Sequence, residues 1–239
     1  MTTLKLESRA LDMLRTACTF AAVDDCRYYI NAVRIEAEGT RCRVIATDTH
    51  QMFVGCVESF ATLELPKVAF SIPATQLKEA LSAFKAKRDL FALVLSFDGE
   101  ALAQDEKEGV CLSEVAITFT GYYVDKTKKT ELSDLIKKES PKKAPILLSH
   151  FVEYKRAIPI PDAATRPANM AISARLLENI SRAAISLNEN KRALSPIQLY
   201  TATDYGAAVT ALAPDAIAVI MPMRAGDECS YWSAYNKLF

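Results

Sequence analysis

Asp48 and His50 stand two residues apart in the stretch RVIATDTHQM, residues 43–52, and a carboxylate close to an imidazole is the smallest arrangement that does general acid-base work. Such a pair needs a nucleophile or a bound metal to act with, and none is visible beside it. The chain has no GxGxxG, no GxxxxGKS/T and no HExxH spacing. The second of its two histidines, His150, sits in the apolar stretch LLSHFVEY and reads as structural. The six cysteines, at 18, 26, 42, 56, 111 and 229, form no CxxC pair and fall mostly within apolar runs, as small reduced core residues do. No catalytic residue, metal site or cofactor is expected. His50 is then either an ordinary turn histidine or part of a recognition surface.

Composition narrows the class of protein. A chain of 239 residues that is 50% hydrophobic, with 7 glycines and 10 prolines, can bury a full core and fold as one or two domains. Lys plus Arg and Asp plus Glu are equal at 29 each, so no overall field draws in nucleic acid or membrane, and any DNA contact must come from an uneven spread of charge. Reduced cysteines favour the cytoplasm. No apolar run approaches the roughly 20 residues of a membrane span, and the opening MTTLKLESRA lacks a signal-peptide core.

The elements that must position the turn follow from repetition. The segments LKLESRALDML, FSIPATQLKEAL and MAISARLLENI share one template, a short strand ending at Leu6, Ile72 or Ile172 and a leucine five residues on, at Leu11, Leu77 or Leu177. Apolar stripes at helical spacing come next: Leu11, Leu14, Cys18 and Ala21; Leu77, Leu81 and Phe84; Leu177, Ile180, Ala184 and Leu187. Ser173 suits the N-cap of the third helix and Pro73 the first turn of the second. After the first helix the period changes to two, with Val33, Ile35 and Ala37 opposed to Arg34 and Glu36, a turn at Gly39, then Cys42, Val44 and Ala46. The order recurs in LFALVLSF, a turn at Asp98-Gly99 and VCLSEVAITFTG, and again in IQLYTAT, AAVTAL and IAVIMPMR. The third unit comes late in the chain, and the Lys-rich stretch from Val124 to Lys143 is expected to be an exposed insertion or linker, or else a DNA contact. Repeated strand, helix and antiparallel-strand units, with helices on one face and sheets on the other, make an α+β layered fold.

The stretch CRYYINAVRIEAEGTRCRVIATDTHQM resembles the middle domain of the bacterial beta sliding clamp, a DNA polymerase III beta subunit-like processivity factor, whose corresponding segment runs as an RYYLNG-type strand and an ATDGHRL turn. FVEYKRAIP is similar to the family's FPDYRRVIP linker, and VIMPMR to its C-terminal VMPMR. With the strand-helix leaders, these signatures run in order over most of residues 4 to 224. The resemblance implies a sliding-clamp fold and, for the opening turn, a place in a hydrophobic groove that receives short linear motifs. Carried over by position, that partner peptide groove comprises Ile30 in the strand, Thr47, Thr49, His50, Gln51 and Met52 in the turn, Pro159 in the linker, and Val219, Met221, Pro222, Met223 and Arg224 near the end. Methionine is flexible and polarizable, as a surface accepting several peptides requires. Two departures stand out: Thr49 replaces the family's glycine and Gln51 its arginine, which implies altered backbone geometry and rim charge.

The family's helices line the inside of a ring and touch phosphates without reading bases. The implied DNA-facing residues are Arg9, Arg15, Lys78, Lys85, Lys87, Arg88, Arg175 and Arg182, with Lys191 and Arg192 just beyond. The implied partners are double-stranded DNA, DNA polymerase, a clamp loader and other clamp-binding-motif proteins. Expected domains are residues 1–122, like the family's middle domain; a Lys-rich linker, 123–144; a shortened last domain, 145–225; and a tail, 226–239. A shortened two-domain protomer implies a head-to-tail homo-oligomer, with a trimeric ring favoured, and suits a phage or mobile element. A clamp-like regulator or decoy that never encircles DNA is the alternative. The final Asn236-Lys237-Leu238-Phe239 resembles the Leu-Phe ending of clamp-binding motifs, against the plainer reading of an amphipathic tail.

Overall fold

In the computed structural model, residues 2–59, 67–84, 90–97, 113–123, 136–147, 151–158, 171–188, 197–201 and 207–221 are described. The expectations for Asp98-Gly99, Cys111, Cys229, His150 and the tail lie outside them. Strand β1 (Thr2–Glu7) alternates, burying Leu4 and Leu6 and exposing Lys5. Helix α1 (Arg9–Phe20) buries Leu11 and Leu14 together with Ala10, Met13, Ala17 and Phe20, a stripe wide enough for a core-facing helix, and Cys18 packs at its edge.

The second leader, β5 (Val68–Pro73), runs into α2 (Ala74–Ser82), which buries Leu77 and Leu81, with Phe84 buried just past its end. Pro73 occupies the N-cap position, one residue before the expected first turn. Helix α4 (Ala174–Leu187) corrects the third stripe: Leu176, Ile180, Ala183, Ala184 and Leu187 are buried, whereas Leu177 is 41% exposed. At 3.6 residues per turn, neighbouring positions differ by about 100°, so a fixed spacing carried over from the other leaders selected the wrong member of the Leu176-Leu177 pair. Ser173 is at the N-cap, but its side chain makes no capping bond. The third leader has a bridge at Ala171 and no strand among its described residues.

Strands β2 (Ala32–Glu38) and β3 (Arg41–Thr47) are the pair predicted from the period-two pattern, and β4 (Gln51–Glu58), which the pattern did not include, extends them into a meander. Gly39 turns β2 into β3 at φ 59°, a conformation glycine takes without strain. Val33, Ile35, Ala37, Cys42, Val44 and Ala46 all join the main core. The last segment adds β9 (Tyr200–Thr201), β10 (Ala208–Ala213) and β11 (Ala216–Ile220), and the result is one antiparallel seven-stranded sheet in the order β5-β2-β3-β4-β11-β10-β9. Strands β6 (Leu90–Phe97), β7 (Ser113–Tyr123) and β8 (Ile136–Ile146) complete a four-stranded sheet ordered β1-β6-β7-β8. Bridges Leu6 to Ser59 and Ser71 to Leu147 join the two sheets at their margins.

β8 corrects the expected insertion. The part of the Lys-rich stretch within 136–143 is an edge strand paired to β7, and the strand runs across the boundary expected at residue 144. Ala144 and Ile146 are buried while Lys143 is exposed. Lysine and proline on an edge strand discourage pairing with other chains, and the same residue types read as a solvated linker when strand context is unknown.

Helix α1 contacts both α2 and α4 and lies across β3 and β4. Its approach to β4 is close: a Cβ on Gly55 would come 2.8 Å from the Met13 sulfur and 2.9 Å from the Phe53 ring. One hydrophobic cluster joins the helices to both sheets. Of the described cysteines, Cys42 is buried, Cys18 and Cys56 are half-buried, and Cys26 departs from expectation by being exposed. Burial pushes the thiols of Cys18 and Cys42 up to about 12, so both stay protonated at neutral pH. Among the described residues, no helix is long and apolar enough to cross a membrane.

Candidate partner-binding site

Residues 47–51 form a turn built by its own side chains. The Thr47 hydroxyl donates to the Gln51 carbonyl at 2.8 Å and accepts from the Thr49 amide at 3.0 Å. The Asp48 carboxylate accepts from the amides of His50 and Gln51 through Oδ1, at 2.9 and 2.8 Å, and from the Gln51 side chain through Oδ2 at 3.0 Å. These bonds make Asp48 a turn former. Thr49 has φ 76°, in the left-handed region that glycine enters most readily. His50 is exposed, and its carbonyl accepts from the Met221 amide at 2.8 Å.

The turn opens onto a second apolar cluster, on the face of the seven-stranded sheet opposite the main core. Met52 pairs with Val219 across β4 and β11, and Val219 pairs with Val209 on β10. With Ile45 and Tyr154 they form the buried part of the cluster, and Val54, Phe151, Val152, Ile158, Tyr200, Ala207 and Ile217 pack around it. Tyr154 opens the short helix α3 (Tyr154–Ala157), so the segment that begins FVEYKRAI lies over this face. Its hydroxyl donates to Glu36 Oε2 at 2.9 Å. Burial, and after it this bond to a carboxylate, raises the Tyr154 hydroxyl above its ordinary value. Arg34 stands 3.8 Å from the other oxygen of Glu36.

The structure therefore brings Thr47, Thr49, His50, Met52, Val219 and Met221 together, whereas Gln51 differs from expectation: its side chain is buried and turns to Asn179 on the helical side of the sheet, away from the Met52 cluster. Met52 and Val219 are 5% and 4% exposed, and Met221 is 50% exposed. Ile30 differs from expectation: it is fully buried in a 3-10 turn, Tyr28–Ile30, rather than in a strand, and is not part of the Met52 cluster. Pro159, Pro222, Met223 and Arg224 lie outside the described residues, although their neighbours Ile158 and Met221 are placed. Ile45, Val54, Tyr154, Val209 and Asn179 were not anticipated. A signal for the first two existed, because the consecutive apolar runs Val44-Ile45-Ala46 and Met52-Phe53-Val54 mark strands covered on both faces.

The cations expected to face DNA divide. Arg9 forms a bidentate ion pair with Asp215, whose carbonyl in turn accepts from the Cys56 amide at 2.8 Å, so this arginine ties α1 to the β10–β11 hairpin. Arg15 donates to the carbonyls of Leu81 and Phe84 at the end of α2, where a cation meets the negative pole of the helix. Lys78, Arg175 and Arg182 are exposed, and Arg182 pairs with Glu178 one turn back. Lys85, Lys87, Arg88, Lys191 and Arg192 lie outside the described residues. Among the described residues, no group of His, Cys, Asp or Glu is placed to hold a metal ion.

No protein-family model and no curated protein sequence matches the chain. Solved structures do. The chain superposes on the DNA polymerase III beta subunit from Thermotoga maritima with a TM-score of 0.61 at 11% identity, covering 95% of this chain and 66% of that one. A DNA polymerase sliding clamp from Pseudomonas aeruginosa gives 0.59 at 13% identity, covering 94% and 66%. A putative DNA polymerase III beta subunit from Eubacterium rectale gives 0.57 at 11% identity, covering 93% and 66%. The chain has the sliding-clamp fold, and it spans 66% of the length of these structures.

Proposed function

We propose that this chain is a sliding clamp, a non-catalytic processivity factor that encircles DNA and tethers a polymerase through the surface around Met52. The observation that carries the reading is the convergence of the 47–52 turn, the 151–158 segment and the end of β11 on one apolar cluster with an exposed histidine and methionine at its margin. A partner's leucine and phenylalanine dock there over the half-buried Val54, Ile158 and Ile217, beside Met221, while His50 and Arg224 supply the polar rim. Burial of that apolar area, at about 25 cal/mol per Å2, drives the contact. Pro159, Pro222 and Met223 complete the surface in this reading.

DNA contact falls to Lys78 and Arg175, together with Lys85, Lys87, Arg88, Lys191 and Arg192. Arg9 and Arg15 act structurally, since their guanidinium groups are engaged inside the fold. With a formal net charge of zero, attraction to phosphates comes from these local cations alone and is weak and salt-sensitive, which suits a device that must slide. Two domains of the kind expected, assembled head to tail into a trimer with a clamp loader as a further partner, complete the proposal.

A fluorescein-labelled peptide ending in Leu-Phe tests the binding surface. The expected result is saturable binding that is lost on Met52→Asp and kept on Arg175→Ala; binding indifferent to Met52 contradicts the reading. Retention on circular DNA, released by linearisation, tests encirclement independently.

A further inference from the structure

Asn179 on α4 reaches the turn from the helical side of the sheet. Its Nδ2 lies 3.0 Å from the Thr19 carbonyl at the end of α1 and 3.0 Å from Gln51 Oε1. Gln51 Nε2 in turn lies 3.0 Å from Asp48 Oδ2. A backbone carbonyl and a carboxylate only accept, and these stand at the two ends of the chain of contacts, so a single set of proton directions remains. Asn179 donates both ways, and Gln51 accepts from it and donates to Asp48. Gln51 is 7% exposed, so water is a poor substitute for either contact.

We infer that Asn179 is a positioning residue for partner binding: by fixing the Gln51 amide it fixes Asp48, and with it the backbone that presents His50 and holds Thr49 in the left-handed region. The inference rests on the proposed binding surface. It makes Asn179 and Gln51 a matched pair, because only a side chain that both accepts and donates fits between Asn179 and Asp48. An arginine at position 51 is donor-only and sets its guanidinium against the Nδ2 of Asn179. Turning the asparagine amide over does not relieve this, since Oδ1 then faces the Thr19 carbonyl. The helix layer and the binding turn, on opposite sides of the sheet, are thereby mechanically joined through α1, α4 and β4.

The test uses the full chain, the labelled Leu-Phe peptide, and the ring resonances of the two histidines as internal reporters. Asn179→Ala is expected to weaken the peptide roughly three- to tenfold and to shift the His50 ring signal while leaving that of His150 in place. In a Gln51→Ala background the same change is expected to add no further loss, because the two residues act as one unit. Gln51→Arg is expected to weaken binding, because a donor-only side chain then faces the Asn179 amide. Wild-type affinity and an unmoved His50 signal in Asn179→Ala, or a loss of equal size in the Gln51→Ala background, overturns the inference. If the wild-type chain does not bind the peptide, the proposed function fails and the role in partner binding with it, and the His50 signal then decides whether Asn179 positions the turn: a shift supports that and an unmoved signal overturns it.

Discussion

Met52 and Val219 lie directly opposite each other across β4 and β11, and each is almost completely buried. The pairing joins the two parts of the chain that the candidate site needs. Met52→Ala removes the centre of the cluster and is expected to lower stability by about 2–3 kcal/mol. It is also expected to weaken the Leu-Phe peptide at least tenfold. Urea unfolding and fluorescence anisotropy measure the two effects; a stability loss with unchanged peptide affinity separates the cluster from the binding surface.

Thr49 carries φ 76°, and a β-branched residue there is strained by roughly 1–2 kcal/mol. Thr49→Gly relieves the strain but frees the unfolded chain, which costs about 0.5–1 kcal/mol. A net gain of about 0.5 kcal/mol is expected. Gly39→Ala, at φ 59° with nothing within 4 Å of the added carbon, is the converse and is expected to lose about 1 kcal/mol through backbone strain alone. Midpoints in urea check both signs.

Tyr154→Phe deletes the bond to Glu36 and is expected to cost about 1–2 kcal/mol at pH 7. The folded state holds the hydroxyl above its ordinary value of 10.0, so above pH 10 the unfolded chain releases a proton that the folded chain keeps. Wild-type stability therefore falls with rising pH in that window, by up to about 1.4 kcal/mol per pH unit, while the phenylalanine variant escapes this loss. The gap between the two proteins narrows from pH 10 upward. Unfolding curves at pH 8 and pH 11 measure it, and a constant or widening gap contradicts the raised Tyr154 hydroxyl.

Arg9 and Asp215 form a partly exposed pair, and Arg9→Ala is expected to cost about 1 kcal/mol. Removing both residues costs little more than removing one. Lys78→Ala and Arg175→Ala are expected to leave stability unchanged and to make DNA retention less dependent on salt. Urea unfolding and retention at two salt concentrations distinguish the groups; a stability loss from Lys78→Ala of the size seen for Arg9→Ala contradicts the division.

Most strands and helical stripes are legible because burial on one face writes a period into the residues, as Val33, Ile35 and Ala37 do. Leu177 was misplaced because two adjacent leucines satisfy the same spacing, and only the neighbours of α4 decide which one faces inward. β8 was missed because lysines carry the same polarity on an edge strand and in a linker. The 47–52 turn was visible as a motif. Its supports were not: the Tyr154 bond to Glu36 and the Asn179 bond to Gln51 join residues far apart in the chain, and nothing local marks either partner.

The β4–β11 pairing also sets an order of events during folding. β4 sits in the middle of the seven-stranded sheet only because β11, made much later, docks against it. Until then β4 has an unsatisfied hydrogen-bonding edge flanked by Met52 and Val54, the kind of surface that recruits other chains. Non-local pairing of this sort is slow, so a chain in which the β10–β11 hairpin has yet to dock is expected to be the form most exposed to aggregation. A fragment ending before Ala216 therefore keeps the turn motif in its sequence, lacks the strand that pairs with Met52, and is prone to self-association.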